Sequence, residues 1–265
     1  LYDVHEYIID PTPVDLERVV GGRGFGTFED LSMFIGTAIQ YKVQILIQGQ
    51  TTPCFNINMF KEHKLHNDNF INWALDLISK KATEYSWDDL LKMSFFDAVM
   101  QTGYKHYWNQ LVPCIPFVNV DAMDQCVKNI FTAFQDIVAL EDKSKKGKLK
   151  RWDKYITCEE AIEHSVPEPW FKCYANNVVG RIDFLLNLNS KKKIIIELKV
   201  ADHLKHTHLN QVQMYNSMSS LKDPNIQYVS YVIIPNKGVM YKSTLKDLTN
   251  NQFITQMCKR KCQVI

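Results

Sequence analysis

No stretch of this 265-residue chain approaches the ~18–20 consecutive apolar residues that a membrane-crossing helix requires. The N-terminus carries no signal-peptide pattern either. A formal charge of +2 does not describe a bulk polyanion binder, so any contact with nucleic acid has to come from local patches. The seven cysteines are odd in number and lack paired spacing, which points away from a disulfide framework and toward a reducing, cytoplasmic setting. Glycine occurs only ten times. Its one cluster, Gly21-Gly22-Arg23-Gly24-Phe25-Gly26, lacks the Gly-Lys-Ser/Thr ending whose lysine and hydroxyl meet phosphate and magnesium, and reads as a turn. What remains is an ordinary globular composition, 46% hydrophobic and 23% charged, long enough to bury an ample core. The first residue is leucine, as expected of a processed or truncated piece of a longer protein.

Apolar periodicity divides the chain at a charge run. Residues 1–60 combine a helix over 30–39 with strand-like runs at 43–47 and 55–59. Two helices follow within 68–100. Asn67 and Asp68 cap the first, whose stripe is Phe70, Trp73, Leu77 and Ile78. Ser86 caps the second, with Asp88 and Asp89 in its first turn and Leu90, Leu91, Phe95 and Val99 facing inward. A third helix over 121–140 aligns Met123, Val127, Ile130, Phe131, Phe134 and Val138. Residues 141–154 then carry seven Lys/Arg against three acids. That run is either a solvated linker or a phosphate-contacting arm beside an active site, with Lys148 and Lys150 among its contacts. It sets the expected division: a mixed, mainly helical region over 1–140 and a second domain over 150–265. In the latter, strands at 171–175, 178–188, 192–200, 228–235 and 239–245, with a helix after the third and another over 253–260, make an α/β fold with a mixed central sheet.

The chemistry concentrates in two neighbouring strands. Gly180-Arg181-Ile182-Asp183 is followed fourteen residues after the aspartate by Glu197-Leu198-Lys199. Side chains two apart on a strand share a face, so Asp183 aligns with Arg181 and Leu185, and Glu197 with Ile195 and Lys199. Asn187 to Lys191 reads as a hairpin loop. A hairpin centred near Ser190 sets Asp183 opposite Glu197, with Cβ atoms about 4.5–5.5 Å apart. Two carboxylates at that separation repel by roughly 3 kcal/mol at an effective dielectric near 20. A hard cation with oxygen ligands converts the repulsion into coordination. Beyond Ala201-Asp202-His203, helical spacing stacks Leu204, His208, Gln211, Tyr215 and Met218 on one stripe, with Leu209 and Val212 beside it. His203, His206 and His208 lack further ligands for zinc and read as polar helix-start residues. A surface ion-pair ladder is the plainer account of Asp183, Glu197 and Lys199, but it requires none of this context.

The order Asp, Glu-x-Lys, then a helix with Gln-x-x-x-Tyr resembles the PD-(D/E)xK nuclease superfamily, in particular its RecB-like branch. Upstream, Val99-Met100-Gln101-Thr102-Gly103-Tyr104, then Pro116-Phe117-Val118-Asn119 and a helix, is similar to bacterial AAA-ATPase-like proteins that carry such a domain at their C-terminus. Modules similar to this pairing occur in some cytoplasmic-incompatibility factors and related toxins of intracellular bacteria. The motifs span residues 95–240. The resemblance implies a restriction-endonuclease-like core and a metal-dependent nuclease acting on DNA, with RNA also open. Asp183, Glu197 and the Leu198 carbonyl would hold Mg²⁺ or Mn²⁺, and Asp183, Glu197, Lys199 and Gln211 would form the catalytic set. Arg181, His208, Tyr215, Lys148 and Lys150 would contact substrate. A cognate inhibitor or antitoxin is an expected partner and a membrane is not. The family's helical glutamate has only Glu160 and Glu163 as candidates. The alternative is a nuclease-fold module without activity, serving as a protein- or nucleic-acid-binding platform.

Overall fold

The turn after Asn189 sets the register on which the rest of the sheet is built. Lys191 N–H donates to Asn189 Oδ1 at 2.9 Å, closing an Asx turn. From it run strands Asn177–Asn189 and Lys192–Leu198, antiparallel, with Leu185 opposite Ile195 and Phe184 opposite Ile196. A bulge between Asn187 and Asn189 absorbs the odd residue, so the hairpin centres where the loop spacing predicts.

The computed structural model describes residues 1–17, 28–49, 68–102, 112–145, 151–165 and 177–262. In chain order the described elements are β1 (Tyr2–Ile8), α1 (Phe28–Gln48), α2 (Asp68–Ser79), α3 (Trp87–Thr102) and α4 (Val120–Glu141). There follow β2 (Ile156–Ser165), β3 (Asn177–Asn189), β4 (Lys192–Leu198), α5 (His206–Lys222), β5 (Gln227–Ile234), β6 (Val239–Leu245) and α6 (Asn250–Cys262). The protein is thus mixed α/β. Among the described residues its sheet is six-stranded, in the order β1-β6-β5-β4-β3-β2. Among the described strands only β4 and β5 pair in parallel, and α5 supplies the crossover that a parallel pair requires; the other pairs are antiparallel.

The chain separates into two units, one of residues 1–13 and 128–265, the other of 14–127. Set beside the division at 140–150 read from the charge run, the sheet unit also takes in the first strand and the later part of α4. In the 14–127 unit, Ser86 caps α3 as expected: Asp89 N–H donates to Ser86 Oγ at 3.1 Å, and Ser86 N–H returns a bond to Asp89 Oδ2 at 3.0 Å. The run at 43–47, expected as a strand, is instead the last part of α1. It continues an apolar surface with Phe34, Ile35 and Ile39, and packing overrides the β-propensity of Val43, Ile45 and Ile47.

In the sheet unit, cross-strand rows alternate between two faces. The row Phe184, Ile196, Tyr231, Lys242 faces α4: Phe134 meets Phe184 ring to edge at 5.6 Å, and Glu141 bonds Tyr231 and Lys242. The next row, continuing from Glu197 through Val232 to Tyr241, faces α5 and α6. There Leu185, Ile195, Val232 and Ile234 pack with Val212 and Met218 of α5 and Ile254 of α6. Full burial of such aliphatic side chains is worth about 1.5–3 kcal/mol each. A one-residue slip of β4 would move Glu197 to the α4 face, so this apolar alternation also fixes the site. Gly238 closes the β5–β6 turn at φ +62°, where a Cβ would meet the Asp10 carbonyl oxygen at 2.0 Å. Among the described residues no helix is long and apolar enough to cross a membrane.

Candidate functional site

One step along the register from Phe184 and Ile196, Asp183 and Glu197 stand opposite each other on the α5 face. Ladder bonding gives way at this point: the Leu198 N–H donates to Asp183 Oδ2 at 2.9 Å. β4 stops at Leu198, two residues short of its expected end, and Lys199 reaches back from beyond the strand. Its backbone is fixed by a 2.9 Å bond from Lys199 N–H to the Ile233 carbonyl. Its Nζ donates to Glu197 Oε1 at 2.9 Å.

From above, α5 supplies Gln211. Its Nε2 donates to the same Glu197 oxygen at 2.6 Å and to the Tyr215 hydroxyl at 3.0 Å. Glu197 is only 1% exposed, and its other oxygen, Oε2, is buried without a hydrogen-bond partner. A proton on Glu197 would bridge it to Asp183; as two carboxylates, neither can donate. Burial, and then the neighbouring Asp183, push the Glu197 carboxyl up to about 8, with Lys199 opposing. Burial works against charge on Lys199, but Glu197 and Asp183 outweigh it and raise its pKa. Tyr215 is raised by burial and by Glu197, with the Gln211 bond pulling the other way.

His208 lies one turn before Gln211, and its Nδ1 accepts from the Lys205 N–H at 3.2 Å. Burial first, then Lys199, Lys205 and His203, lower it to about 4, leaving it neutral near pH 7. Arg181 is exposed on β3, two residues before Asp183. The structure therefore gathers Asp183, Glu197, Lys199, Gln211 and Tyr215, with His208 and Arg181 at the edge.

Lys148 and Lys150 lie outside the described residues. The described ends of their run lie at the hairpin end of the sheet: Lys192 Nζ sits 2.6 Å from Glu141, and Asn187 N–H bonds the Tyr155 carbonyl at 2.7 Å. Lys192 and Glu197 are five residues apart on β4, about 16 Å at ~3.3 Å per residue. The described ends of the run thus lie at the opposite end of β4 from the carboxylate pair. Glu160 and Glu163 lie on β2, paired with Ile182 and Val179, so neither is a helical glutamate. The alternating partners of β2 account for its strand conformation despite the glutamate-rich, helix-like composition.

Sequence reasoning also missed a supporting polar seam. Ser230 and Ser243 pair across β5 and β6 beneath α5. Gln213 Nε2 donates to the Ser243 carbonyl at 2.8 Å, and Asn216 Nδ2 to Ser230 Oγ at 2.7 Å. Asn210 accepts from the Tyr2 hydroxyl of β1. The legible signal was a serine inside an otherwise apolar strand, as in Tyr228-Val229-Ser230-Tyr231-Val232. Asn236 similarly brackets Ala201, donating to its carbonyl at 3.1 Å and accepting from its N–H at 3.3 Å, which steadies the segment after Lys199.

The carboxylate pair offers the oxygen-only ligand chemistry that a hard divalent cation takes. Such a cation would meet an unpartnered buried carboxylate oxygen beside a second carboxylate, and all the donors are oxygen. Among the described residues no group of three or more His, Cys, Asp or Glu is arranged to hold a metal, so the remaining ligands would come from backbone carbonyl, water or substrate. Comparison with protein-family models, with curated proteins and with solved structures finds no match to the chain. The site's own atoms carry its chemistry.

Proposed function

We propose that this chain is a metal-dependent phosphodiesterase with a PD-(D/E)xK-type core, hydrolysing DNA. The observation that carries the reading is the buried Asp183–Glu197 pair, with Glu197 Oε2 unsatisfied and Lys199 and Gln211 holding its other oxygen. A buried carboxylate oxygen without a hydrogen-bond partner is costly unless something compensates it. The order of elements supports the same reading, since an antiparallel β2-β3-β4 set continues through α5 into a parallel β5.

Asp183, Glu197 and the Leu198 carbonyl would hold Mg²⁺ or Mn²⁺, which supplies a lowered water pKa and charge stabilisation at the phosphate. Lys199 places an ammonium beside the pair, where it orients the attacking water or meets the developing phosphate charge. Gln211 fixes the Glu197 carboxylate, and Tyr215 holds Gln211. Arg181 and neutral His208 flank the opening as contacts for the substrate backbone.

A second reading, an inactive nuclease-fold platform, is favoured by one observation: Glu160 and Glu163 sit on a strand. Digestion of plasmid and oligonucleotide substrates with Mg²⁺, Mn²⁺ or EDTA separates the two. The enzyme cleaves with either metal, stops with EDTA, and loses cleavage in Asp183→Ala and Glu197→Ala. No cleavage under any condition, or cleavage at the wild-type rate by either variant, overturns the catalytic assignment.

A further inference from the structure

Gly180, three residues before Asp183, has ordinary extended backbone and pairs with Ile162 of β2, so neither its φ nor its ladder position demands glycine. The demand comes from above. A Cβ built there would lie 2.3 Å from Tyr215 Cε1 and 3.1 Å from its Cδ1, well inside contact distance. The Tyr215 ring thus lies directly on the bare backbone of β3. Its hydroxyl accepts from Gln211 Nε2 at 3.0 Å, and that same amide donates to Glu197 Oε1 at 2.6 Å. Glu197 is left with Oε2 unpartnered beside Asp183.

We infer that Gly180 is a positioning residue: the missing side chain seats Tyr215 on β3, and through Tyr215 and Gln211 it fixes the Glu197 carboxylate with Oε2 turned to a divalent cation. The inference rests on the metal-site reading above and assigns a role that no side chain in the glycine's own position could fill. Alanine at 180 forces the ring off the strand, since a Cβ at 2.3 Å lies far inside ordinary contact, and carries the phenol away from Gln211.

Titration of the full chain with Mn²⁺, followed by calorimetry and by Mn²⁺ electron paramagnetic resonance, tests this with Gly180→Ala, Tyr215→Phe and the double variant. Each single change should weaken Mn²⁺ about tenfold, the usual size when a ligand's supporting bond is lost. The double variant should be no weaker than either single one, because both break the same chain of contacts. Additive losses, or unchanged Mn²⁺ affinity in Gly180→Ala, overturn the inference and leave the metal site standing. A wild-type chain that takes up no Mn²⁺ overturns the metal site and the inference with it. Should Gly180→Ala fail to fold, Gly180→Ala/Tyr215→Ala removes the ring. Recovery of the fold then supports the contact, and continued failure contradicts it.

Discussion

Glu141 and Glu197 are both glutamates withdrawn from water, with side-chain exposures of 4% and 1%, one on each face of the same sheet. Glu141 is complete: Lys192, Lys242 and the Tyr231 hydroxyl each approach it to 2.6 Å. Burial opposes its ionised form, but those three bonds prevail and lower its pKa. Glu197 is incomplete. Lys199 and Gln211 crowd one oxygen, the other has no partner, and a second carboxylate stands beside it, so its pKa rises. Opposite satisfaction at two withdrawn side chains separates a residue that fastens the fold from one with an oxygen left over, and the proposed cation site rests on that difference.

Removing each carboxylate should break that symmetry most visibly. Glu141→Ala strands two lysines against the α4 face and should cost about 3 kcal/mol, the low end of the range for breaking a buried pair because both lysines reach water. Glu197→Gln relieves repulsion and should leave the stability of the metal-free chain level or raised. Urea unfolding of both variants reads the difference; equal losses would erase the distinction.

The two carboxyls also titrate in opposite senses. Folding favours the protonated form of Glu197, so its contribution is fully present below its ordinary value of 4.5 and is lost as pH rises through about 8. Folding favours ionised Glu141, so its contribution is present above 4.5 and is lost as pH falls through its lower folded value. In the absence of metal, Glu197→Gln should therefore flatten a decline in stability between pH 5 and 8. Glu141→Gln should leave that decline intact and remove part of the loss on the acid side. Parallel pH profiles for wild type and Glu197→Gln would show that Glu197 keeps an ordinary pKa.

The neighbours of Glu197 should affect turnover more than folding. Lys199→Met should stay folded, bind metal and lose cleavage, and Gln211→Ala should cost on the order of ten- to a hundredfold in kcat. Collapse of the fold in Lys199→Met would instead make it a structural ion pair. Neutralising Lys145, Lys146, Lys148 and Lys150 should have the smallest effect at the site. With the ends of the run about 16 Å along β4 from the carboxylates, it should weaken binding and flatten the salt dependence of affinity while kcat at saturation barely moves. A changed kcat would bring the run back to the site.

Glu197 was legible in the sequence and Glu141 was not. The period-2 pattern of Lys192-Lys193-Ile194-Ile195-Ile196-Glu197-Leu198 and the Asn189-Ser190-Lys191 turn are local, so together they set Asp183 across from Glu197. The stripe of His208, Gln211 and Tyr215 is local too. Glu141 closes a helix, and its partners Lys192 and Lys242 lie 51 and 101 residues away, where no spacing rule reaches. Distance hid β1 in the same way: Tyr2 pairs with Leu245, almost the whole chain apart. At 43–47 and along β2 the difficulty was different, because local propensity and charge pointed one way and packing or pairing settled the other.

Calorimetric titration with Mn²⁺ at pH 8, comparing wild type with Glu197→Gln, bears most directly on Glu197 as the open half of a cation site. Saturable binding by the wild-type chain, with affinity reduced at least about a hundredfold in Glu197→Gln, is the expected result. Equal binding by the two chains, or no binding by the wild type, would contradict it.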